Sequence, residues 1–305
     1  MDLIITDKSL IAADTLRLRL ASDNGNVLPE FQPGAHIELS FAELTRRYSL
    51  TSSPHDLSSY EICVLHTNPS RGGSAYLHEE LRVGARLQGA GPFNAFPLHR
   101  TARHTVFIAG GIGITPFLSM MEVLDRASRS FELHYVARSP DRFLPVSENS
   151  GRIHRYTKSG NSPKLDIEAI LNSLAIDTEL YVCGPRRLIE AVRVEAAALG
   201  WPDNQIHFES FGVGLDPDDA PVKVHLALSG MTIDVEPGTS ILDALLANGV
   251  WAPYECKRGE CGSCYTELVS GEPEHRDLCL TEGQRRGGIC TCVSWGKTPE
   301  IVLNL

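Results

Sequence analysis

The chain has 305 residues, of which 42% are hydrophobic and 22% charged, so it is typical of folded globular protein and too long for one ordinary core. Its formal net charge of −10 argues against general binding to nucleic acid. The N-terminus lacks the basic and apolar regions of a signal peptide, and the apolar run of residues 105–124 is interrupted by three glycines and a proline. We therefore expect two or three domains in a cytoplasmic protein with neither nucleic acid nor membrane as a partner.

Short apolar runs separated by turn residues fill the first hundred positions. The runs "TLRLRL", "AHIELSF" and "YEICVLH" alternate with "DNGN", "QPGA" and "SSPHD". Many short strands at this spacing predict a small antiparallel barrel or sandwich over residues 1–102.

Strands and helices alternate from residue 103 onward. "HTVFIAGG" and "TELYVCGP" are typical of buried strands, and "TPFLSMMEVLDRA" and "RRLIEAVRVEAAALG" are typical of helices. This alternation predicts an α/β domain with a doubly wound parallel sheet over residues 103–213.

A segment rich in Gly, Asp and Pro, "GVGLDPDDAP", follows and predicts a linker over residues 214–220. After it, "VKVHLALSG" and "MTIDVEPG" predict a hairpin, and "SILDALLANG" predicts a helix. We expect a compact α+β domain over residues 221–305.

Three of the eight cysteines lie close together in this last domain, in "CKRGECGSC". They are Cys256, Cys261 and Cys264, with four and then two residues between them. That spacing is typical of a plant-type [2Fe-2S] site, whose loop Gly259 and Gly262 would allow to wrap closely around the cluster. In a cytoplasmic protein, close-set thiols bind metal more often than they form disulfides. A zinc knuckle or a set of core thiols is the alternative.

The fourth thiol has to come from further along the chain. In "GGICTCVSWG" both Cys290 and Cys292 qualify by position. Cys63, Cys183 and Cys279 are interpreted as small buried hydrophobic residues.

A glycine-rich turn in the first domain is a candidate phosphate site. Gly72, Gly73 and Ser74 precede a predicted helix, whose free N–H groups would attract an anion, and Arg71 adds positive charge. A plain glycine turn is the alternative.

A second glycine-rich turn, "AGGIGITP", follows a predicted strand and opens a helix. Gly111 and Gly113 would let a dinucleotide approach the backbone. Pro116 stands where the full dinucleotide fingerprint has its last glycine, so the motif by itself is incomplete.

The motifs "RRYSL", "RGGS", "GGIGITP", "YVCGP", "HFESFG" and "CKRGECGSC" occur in that order across all three predicted domains. In this the chain resembles the phthalate dioxygenase reductase family, the single-chain reductases of Rieske-type oxygenases that include the vanillate O-demethylase reductases. The resemblance implies a barrel that binds FMN, a middle domain that binds NADH, and a C-terminal plant-type ferredoxin domain of the β-grasp fold that carries a [2Fe-2S] cluster.

The resemblance also implies roles at the flavin. Arg46 would bind the flavin phosphate, Tyr48 would pack along the flavin, and Ser49 would lie near its reactive N5 edge. Phe211 would cover the flavin ring, with Glu209 nearby.

At the nicotinamide and the cluster the resemblance implies further residues. Thr115 would lie beside the nicotinamide, and Cys183, followed by Gly184 and Pro185, would form a wall of the same site. Cys292 matches the position of the family's fourth cluster ligand. The residues expected to act at the reacting rings are thus Ser49, Thr115, Cys183, Glu209 and Phe211.

Electron counting connects the three cofactors. A nicotinamide gives two electrons at once as hydride, whereas a [2Fe-2S] cluster accepts one electron at a time. A flavin can accept two electrons together and pass them on singly, so it connects the two. The cofactors carry this chemistry, and the task of the protein is to place them. We expect an oxidoreductase that passes electrons from NADH through FMN and the cluster to a Rieske-type terminal oxygenase. The alternatives are a reductase for a P450 or a di-iron monooxygenase, or a non-catalytic iron–sulfur electron carrier.

The choice of NADH depends on charges after the strand "FELHYVAR". Asp141 would repel the 2′-phosphate of NADPH, whereas Arg138 and Arg142 would attract it. We expect NADH.

Overall fold

The computed structural model describes residues 1–67, 72–99, 101–147, 152–159, 163–175, 177–211 and 218–305. Contacts within the chain divide it into two compact units, Met1–Glu209 and Ser210–Leu305. None of the helices in these described ranges is long and apolar enough to cross a membrane.

Six antiparallel strands form the first sheet of the first unit. They pair in the order β4-β3-β6-β1-β2-β5, and a bridge between Leu50, just after β4, and Ile62 of β5 closes the sheet on itself. Side chains on alternate positions point inward, and Leu18, Ile37 and Tyr60 are completely buried. The predicted antiparallel barrel is therefore confirmed. Its strands are β1 (Asp2–Ala12), β2 (Thr15–Ser22), β3 (His36–Phe41), β4 (Leu44–Ser49), β5 (Tyr60–Leu65) and β6 (Arg86–Phe93).

A short helical segment lies between β5 and β6. It begins as α1 (Gly73–Ala75) and continues as one π-helical turn, Tyr76–Glu80. The ammonium group of Lys8 donates to the carbonyl oxygens of His78 and Leu81 at 2.7 and 2.8 Å. The His78 ring lies 2.9 Å from the carbonyl oxygen of Val64 and donates to it through Nε2. These bonds attach the segment to β1 and β5.

Five parallel strands form the second sheet of the first unit, in the order β11-β10-β7-β8-β9. The chain moves outward from β7 through β8 to β9 and then returns to the other side of β7, so the order reverses between β7 and β10. In open parallel sheets ligands bind at such a switch point, beyond the carboxyl ends of the strands. The predicted doubly wound sheet is confirmed, and β9 is a strand that the sequence pattern did not predict. The strands are β7 (His104–Gly110), β8 (Ser130–Ala137), β9 (Arg152–Thr157), β10 (Thr178–Cys183) and β11 (Ile206–Glu209).

In the part of the chain that the structure describes, the connections of this sheet contain three helices and three short turns. Asp166 caps α3, where its carboxylate accepts the N–H of Ala169 at 3.0 Å. Pro116 lies in the first turn of α2, where its missing N–H costs nothing. The helices are α2 (Thr115–Arg126), α3 (Ile167–Ser173) and α4 (Arg186–Ala198), and the 3₁₀ turns are Gly111–Ile114, Pro140–Arg142 and Asp203–Gln205.

The second unit is a mixed sheet packed against helix α5. The strands pair in the order β13-β12-β18-β14-β16, with β12 and β18 parallel and the other pairs antiparallel. Ser240 caps α5, and Leu242 and Trp295 lie fully inside the core. This is the predicted β-grasp architecture. Its elements are β12 (Val222–Leu226), β13 (Thr232–Val235), α5 (Ile241–Ala247), β14 (Tyr265–Ser270), β15 (Pro273–Glu274), α6 (Glu282–Gly287), β16 (Gly288–Cys290), β17 (Trp295–Gly296) and β18 (Glu300–Leu303).

Candidate functional site

The cysteine loop between α5 and β14 and the segment after β16 bring four thiols together in pairs. Cys256 and Cys261 share a sulfur–sulfur hydrogen bond, and the sulfur atoms of Cys264 and Cys292 lie 3.2 Å apart. Hydrogen bonds from Cys290 and Cys292 lower the pKa of the Cys264 thiol. A thiol held toward its thiolate form is the kind that ligates metal.

Left-handed residues and backbone N–H groups shape this loop. Lys257, Gly259 and Gly262 have φ angles of 53°, 70° and 75°. A side chain on Gly259 would place its Cβ 2.6 Å from the Val293 methyl group, so only glycine fits there. The N–H of Arg258 donates to the sulfur of Cys256 at 3.3 Å. Four soft thiol donors, an N–H group directed at sulfur and a glycine that permits tight wrapping fit a [2Fe-2S] cluster.

Cys290 and Cys292 differ in what they contact, although both are buried and both approach Cys264. The Cys292 sulfur also accepts a hydrogen bond from the backbone N–H of Gly259, within the loop. Cys290 instead lies 3.7 Å, sulfur to sulfur, from Cys279. The contact with Gly259 favours Cys292 as the fourth ligand, which stays a prediction.

Two charged residues of the loop were not singled out in the sequence. Glu260 accepts a hydrogen bond from the backbone N–H of Ser210 at 2.5 Å, and its carboxylate lies 3.3 Å from the Arg258 guanidinium. Both side chains are about nine-tenths buried, and burial raises the pKa of Glu260 while Arg258 and Ser210 oppose the rise. The feature that distinguishes Arg258 and Glu260 is the burial of their charged side chains, and only the structure shows it.

The segment before β12 is attached to the same unit. Arg276 forms two hydrogen bonds to the carboxylate of Asp219, at 2.7 and 2.5 Å, with both side chains more than nine-tenths buried. The indole N–H of Trp295 donates to the carbonyl oxygen of Ala220 at 2.9 Å. Of the predicted linker 214–220, positions 214–217 lie outside the described residues, and Asp219 and Ala220 pack within the second unit.

On the barrel, strand β4 places Arg46 and Tyr48 on one face. A Cβ built on Gly73 would lie 2.9 Å from Nε of Arg46, so the guanidinium lies directly against the start of α1. Burial raises the pKa of Tyr48 to about 12, against the opposing charge of Arg46. Ser49 is buried at the end of β4.

The glycine turn before α1 contains a left-handed residue and two neighbouring hydroxyl groups. Gly72 has a φ of 84°, and the hydroxyl groups of Thr67 and Ser74 lie 2.8 Å apart across the turn. Arg46 lies against Gly73, and Ser74 follows directly, while their role at a flavin phosphate stays a prediction. Arg71 lies outside the described residues.

The parallel sheet joins two glycine turns at its switch point. A Cβ on Gly113 would lie 2.3 Å from the Cys183 carbonyl oxygen, and one on Gly184 would lie 2.9 Å from the Cα of Gly110. The turn after β7 therefore packs backbone to backbone against the end of β10. Gly111 differs, because its φ is 57° and nothing lies within 4 Å of the position of a Cβ. Gly111 thus leaves open space beside the turn, whereas Gly113 is needed for packing.

Three further predicted residues, Thr115, Pro185 and Glu209, lie around the same edge of the sheet. Thr115 is buried, and its hydroxyl donates to the carbonyl oxygen of Ile112 at 3.0 Å. Glu209 is buried at the end of β11, in register with Cys183 of β10, and Pro185 lies against Gly110. Phe211 belongs to the second unit and is 44% exposed, and its role at the flavin stays a prediction.

Comparison with known proteins gives the class of this chain. Residues 2–97 match a family model described as an oxidoreductase FAD-binding domain. Residues 224–295, which include all four paired cysteines, match one described as a 2Fe-2S iron-sulfur cluster binding domain. The barrel is thus a flavin-binding domain, the cysteine loop holds a [2Fe-2S] cluster, and the chain is a flavin- and iron–sulfur-dependent oxidoreductase.

Similar proteins cover the chain from end to end. It is 37% identical over a 316-residue alignment to the vanillate O-demethylase oxidoreductase of Pseudomonas sp. (strain HR199 / DSM 7063), which covers 100% of both chains. It is 40% identical over 285 residues to the heme-dependent oxidative N-demethylase beta subunit of Ectopseudomonas mendocina (strain ymp), covering 92% of this chain and 91% of that one.

A solved structure is similar over the same extent. Phthalate dioxygenase reductase, described as a modular structure for electron transfer from pyridine nucleotides to [2Fe-2S], superposes with a TM-score of 0.79 at 33% identity. The match covers 100% of this chain and 98% of that chain. The chain belongs to the phthalate dioxygenase reductase family, and the family predicted from its motifs is confirmed.

Proposed function

We propose that this oxidoreductase passes electrons from NADH through FMN and its [2Fe-2S] cluster to a Rieske-type terminal oxygenase. The observation that carries the proposal is the presence in one chain of a flavin barrel, a parallel sheet with an open glycine turn at its switch point, and a group of four thiols, three from the cysteine loop and one from Cys292. We assign residues 1–102 to FMN binding, 103–213 to nicotinamide binding, 214–220 to a linker and 221–305 to the cluster.

The proposed flavin is FMN, held by its phosphate. Arg46 lies against Gly73 at the start of α1, and Ser74 supplies a hydroxyl in the same turn. These groups would form one compact site for a terminal phosphate, and Arg71, which lies outside the described residues, is expected to add charge there. Tyr48 would pack along the flavin and Ser49 would lie at its N5 edge. The flavin supplies the exchange between two-electron and one-electron transfer.

The proposed donor is NADH, bound at the switch point of the parallel sheet. Gly111 leaves the backbone open to a dinucleotide, and Thr115 and Cys183 lie buried beneath the edge where the nicotinamide would lie. Phe211 and Glu209 would complete the site around the rings.

The preference for NADH over NADPH is supported by one ion pair. Arg142, which could attract a 2′-phosphate, is paired with the carboxylate of Asp14 on the barrel. Asp141 is exposed beside it, and a hydrogen bond from Ser139 lowers its pKa, so it carries a negative charge at neutral pH. A 2′-phosphate would therefore meet an anion and an arginine that is already engaged.

An anaerobic titration tests this function. We expect NADH to bleach both the flavin and the cluster absorbance, with about 1.5 equivalents for full reduction because the two cofactors take three electrons. NADPH at equal concentration should react far more slowly. Acid release and chromatography should yield FMN. Comparable efficiency with NADPH, or FAD in the supernatant, would contradict the corresponding part of the proposal.

A second candidate acceptor is a haem-dependent oxygenase, because one relative at 40% identity is named as the beta subunit of a heme-dependent demethylase. Stopped-flow mixing of the reduced protein with a Rieske oxygenase component and, separately, with a haem-dependent one separates the two. We expect rapid reduction of the Rieske centre. Faster reduction of the haem would favour the second candidate.

A further inference from the structure

A cluster of two imidazoles and a carboxylate lies on the outer strands of the parallel sheet. His134 of β8 and His154 of β9 are direct partners in the parallel register, and Glu132 lies two residues before His134. Because alternate residues of a strand share a face, the three side chains project from the same side of the sheet. The two imidazole rings are stacked with centroids 4.9 Å apart and an angle of 11° between planes.

The donor atoms of these side chains converge. Glu132 Oε1 lies 3.1 Å from His134 Nε2 and 2.9 Å from His154 Nε2. One donor atom from each of the three residues lies within 4.8 Å of the other two. One metal ion could therefore contact all three, as in sites that use two histidines and one carboxylate.

His134 is buried at the centre of this group. The residue is only 4% exposed, and its Nε2 lies 3.1 Å from the Glu132 carboxylate, out of line for a full hydrogen bond. A cation between the two would give the ring nitrogen and the carboxylate a well-directed partner each. The other ring nitrogen, Nδ1, lies 2.9 Å from the Tyr156 hydroxyl. A hydrogen bond from the far side of the ring is the arrangement that orients a ligating histidine.

We propose that Glu132, His134 and His154 form a binding site for a Zn²⁺-type divalent ion that fastens the edge strand β9 to β8. Imidazole and carboxylate donors suit Zn²⁺ better than Ca²⁺ or Mg²⁺, which prefer sites built from oxygen alone. The His154 side chain is 44% exposed and that of Glu132 is 20% exposed, so the ion reaches the site from solvent. The site lies in the middle of the strands, away from the glycine turns at their carboxyl ends.

The ion would have a structural effect. β9 is the edge strand of the sheet, paired only with β8 among the described strands. A ligand that binds the folded chain and not the unfolded one stabilises the fold by mass action. Zn²⁺ should therefore raise the melting temperature of the intact protein without taking part in electron transfer.

The test uses the intact protein with its flavin and iron–sulfur cluster, and zinc sulfate as the probe. Zinc K-edge absorption distinguishes zinc from the iron of the cluster. We expect a Zn²⁺ ion with two imidazoles and oxygen at about 2.0–2.2 Å. Calorimetric titration should show Glu132→Gln and His154→Gln binding zinc at least about tenfold more weakly, since each removes a ligand. These residues are partly exposed, so the variants should fold, and unchanged flavin and iron content confirms that they do.

His99→Gln is the matched control. His99, Glu179 and His207 form a second group of similar composition in which the ligand atoms also converge, and that variant should keep the zinc affinity of the wild type. Three outcomes would overturn the proposal: no saturable zinc binding, sulfur in the zinc shell, or binding that persists in His154→Gln and disappears in His99→Gln.

Discussion

A Cβ on Gly113 would lie 2.3 Å from the carbonyl oxygen of Cys183, which couples the nucleotide turn after β7 directly to the end of β10. The neighbouring glycine has a different task, since the space around the missing side chain of Gly111 is open. Two glycines of one motif thus serve packing and ligand access separately.

Alanine at each of these glycines should separate the two effects. Gly113→Ala forces backbone apart and should lower the free energy of unfolding by about 1–3 kcal/mol. Gly111→Ala should cost about 1–2 kcal/mol, from its φ of 57°, and should weaken NADH binding by placing a methyl group in the open space. Chemical denaturation and NADH titration measure the two quantities. The separate roles of the two glycines would be contradicted if Gly113→Ala lost as much NADH affinity as Gly111→Ala and kept the stability of the wild type.

Replacing the candidate fourth cluster ligand should remove the cluster. Cys292→Ser should lose most of the iron and the cluster absorbance while keeping the flavin, because Cys292 contacts both Cys264 and the Gly259 N–H. Cys290→Ser is the control and should keep both cofactors. Iron analysis and visible spectra decide between them, and the reverse result would assign the ligand to Cys290.

The first two proposed domains should work without the cluster domain. Residues 1–215 should bind flavin and reduce ferricyanide with NADH, because hydride transfer needs only the barrel and the parallel sheet. The fragment should fail to reduce cytochrome c or an oxygenase at a useful rate. If it drives the oxygenase as well as the intact chain does, electrons leave from the flavin.

The cluster domain should be more stable when it begins at Ser210 than when it begins at Pro221. The shorter fragment loses Asp219, which leaves the buried Arg276 without that carboxylate, and it loses the Ala220 carbonyl that accepts from Trp295. Removing one partner of a buried ion pair costs about 3–5 kcal/mol when the other charge is left unpaired, and the loss here should be smaller because Arg276 keeps its contact with Glu274 at 2.9 Å. Thermal unfolding of fragments 210–305 and 221–305 measures the difference. Equal melting temperatures would show that the segment before β12 is dispensable.

The turn after α1 should make stability depend on pH. Burial lowers the pKa of His78 below its ordinary value of 6.5, so the unfolded chain takes up more protons than the folded one in the interval between the two values. The contribution of the neutral His78 ring to the free energy of unfolding is therefore complete above about pH 6.5. It decreases as the pH drops toward the pKa of the folded state. His78→Gln keeps an N–H donor for Val64 without titrating. Between about pH 7.5 and about pH 5, the melting temperature of the wild type should fall more steeply than that of the variant. Parallel curves would contradict the assignment of this pH dependence to His78.

The sequence by itself determined the class of fold and the chemistry of the cluster. Periodic apolar runs predicted the barrel strands and the alternation of β7, α2, β8 and α4, because the side-chain periods of strands and helices are local properties. The spacing of Cys256, Cys261 and Cys264 predicted the cluster for the same reason, since one short loop supplies three ligands.

Only the tertiary structure decided the contacts between distant segments. "RIHRYT" has no apolar run, so β9 was not predicted; the strand is held by its register with β8, which also places His154 beside His134. Arg142 pairs with Asp14, 128 positions away, a contact on which the proposed preference for NADH rests. Such pairs depend on how sheets and turns pack, which no local pattern encodes, because residues far apart in sequence meet only after the chain has folded.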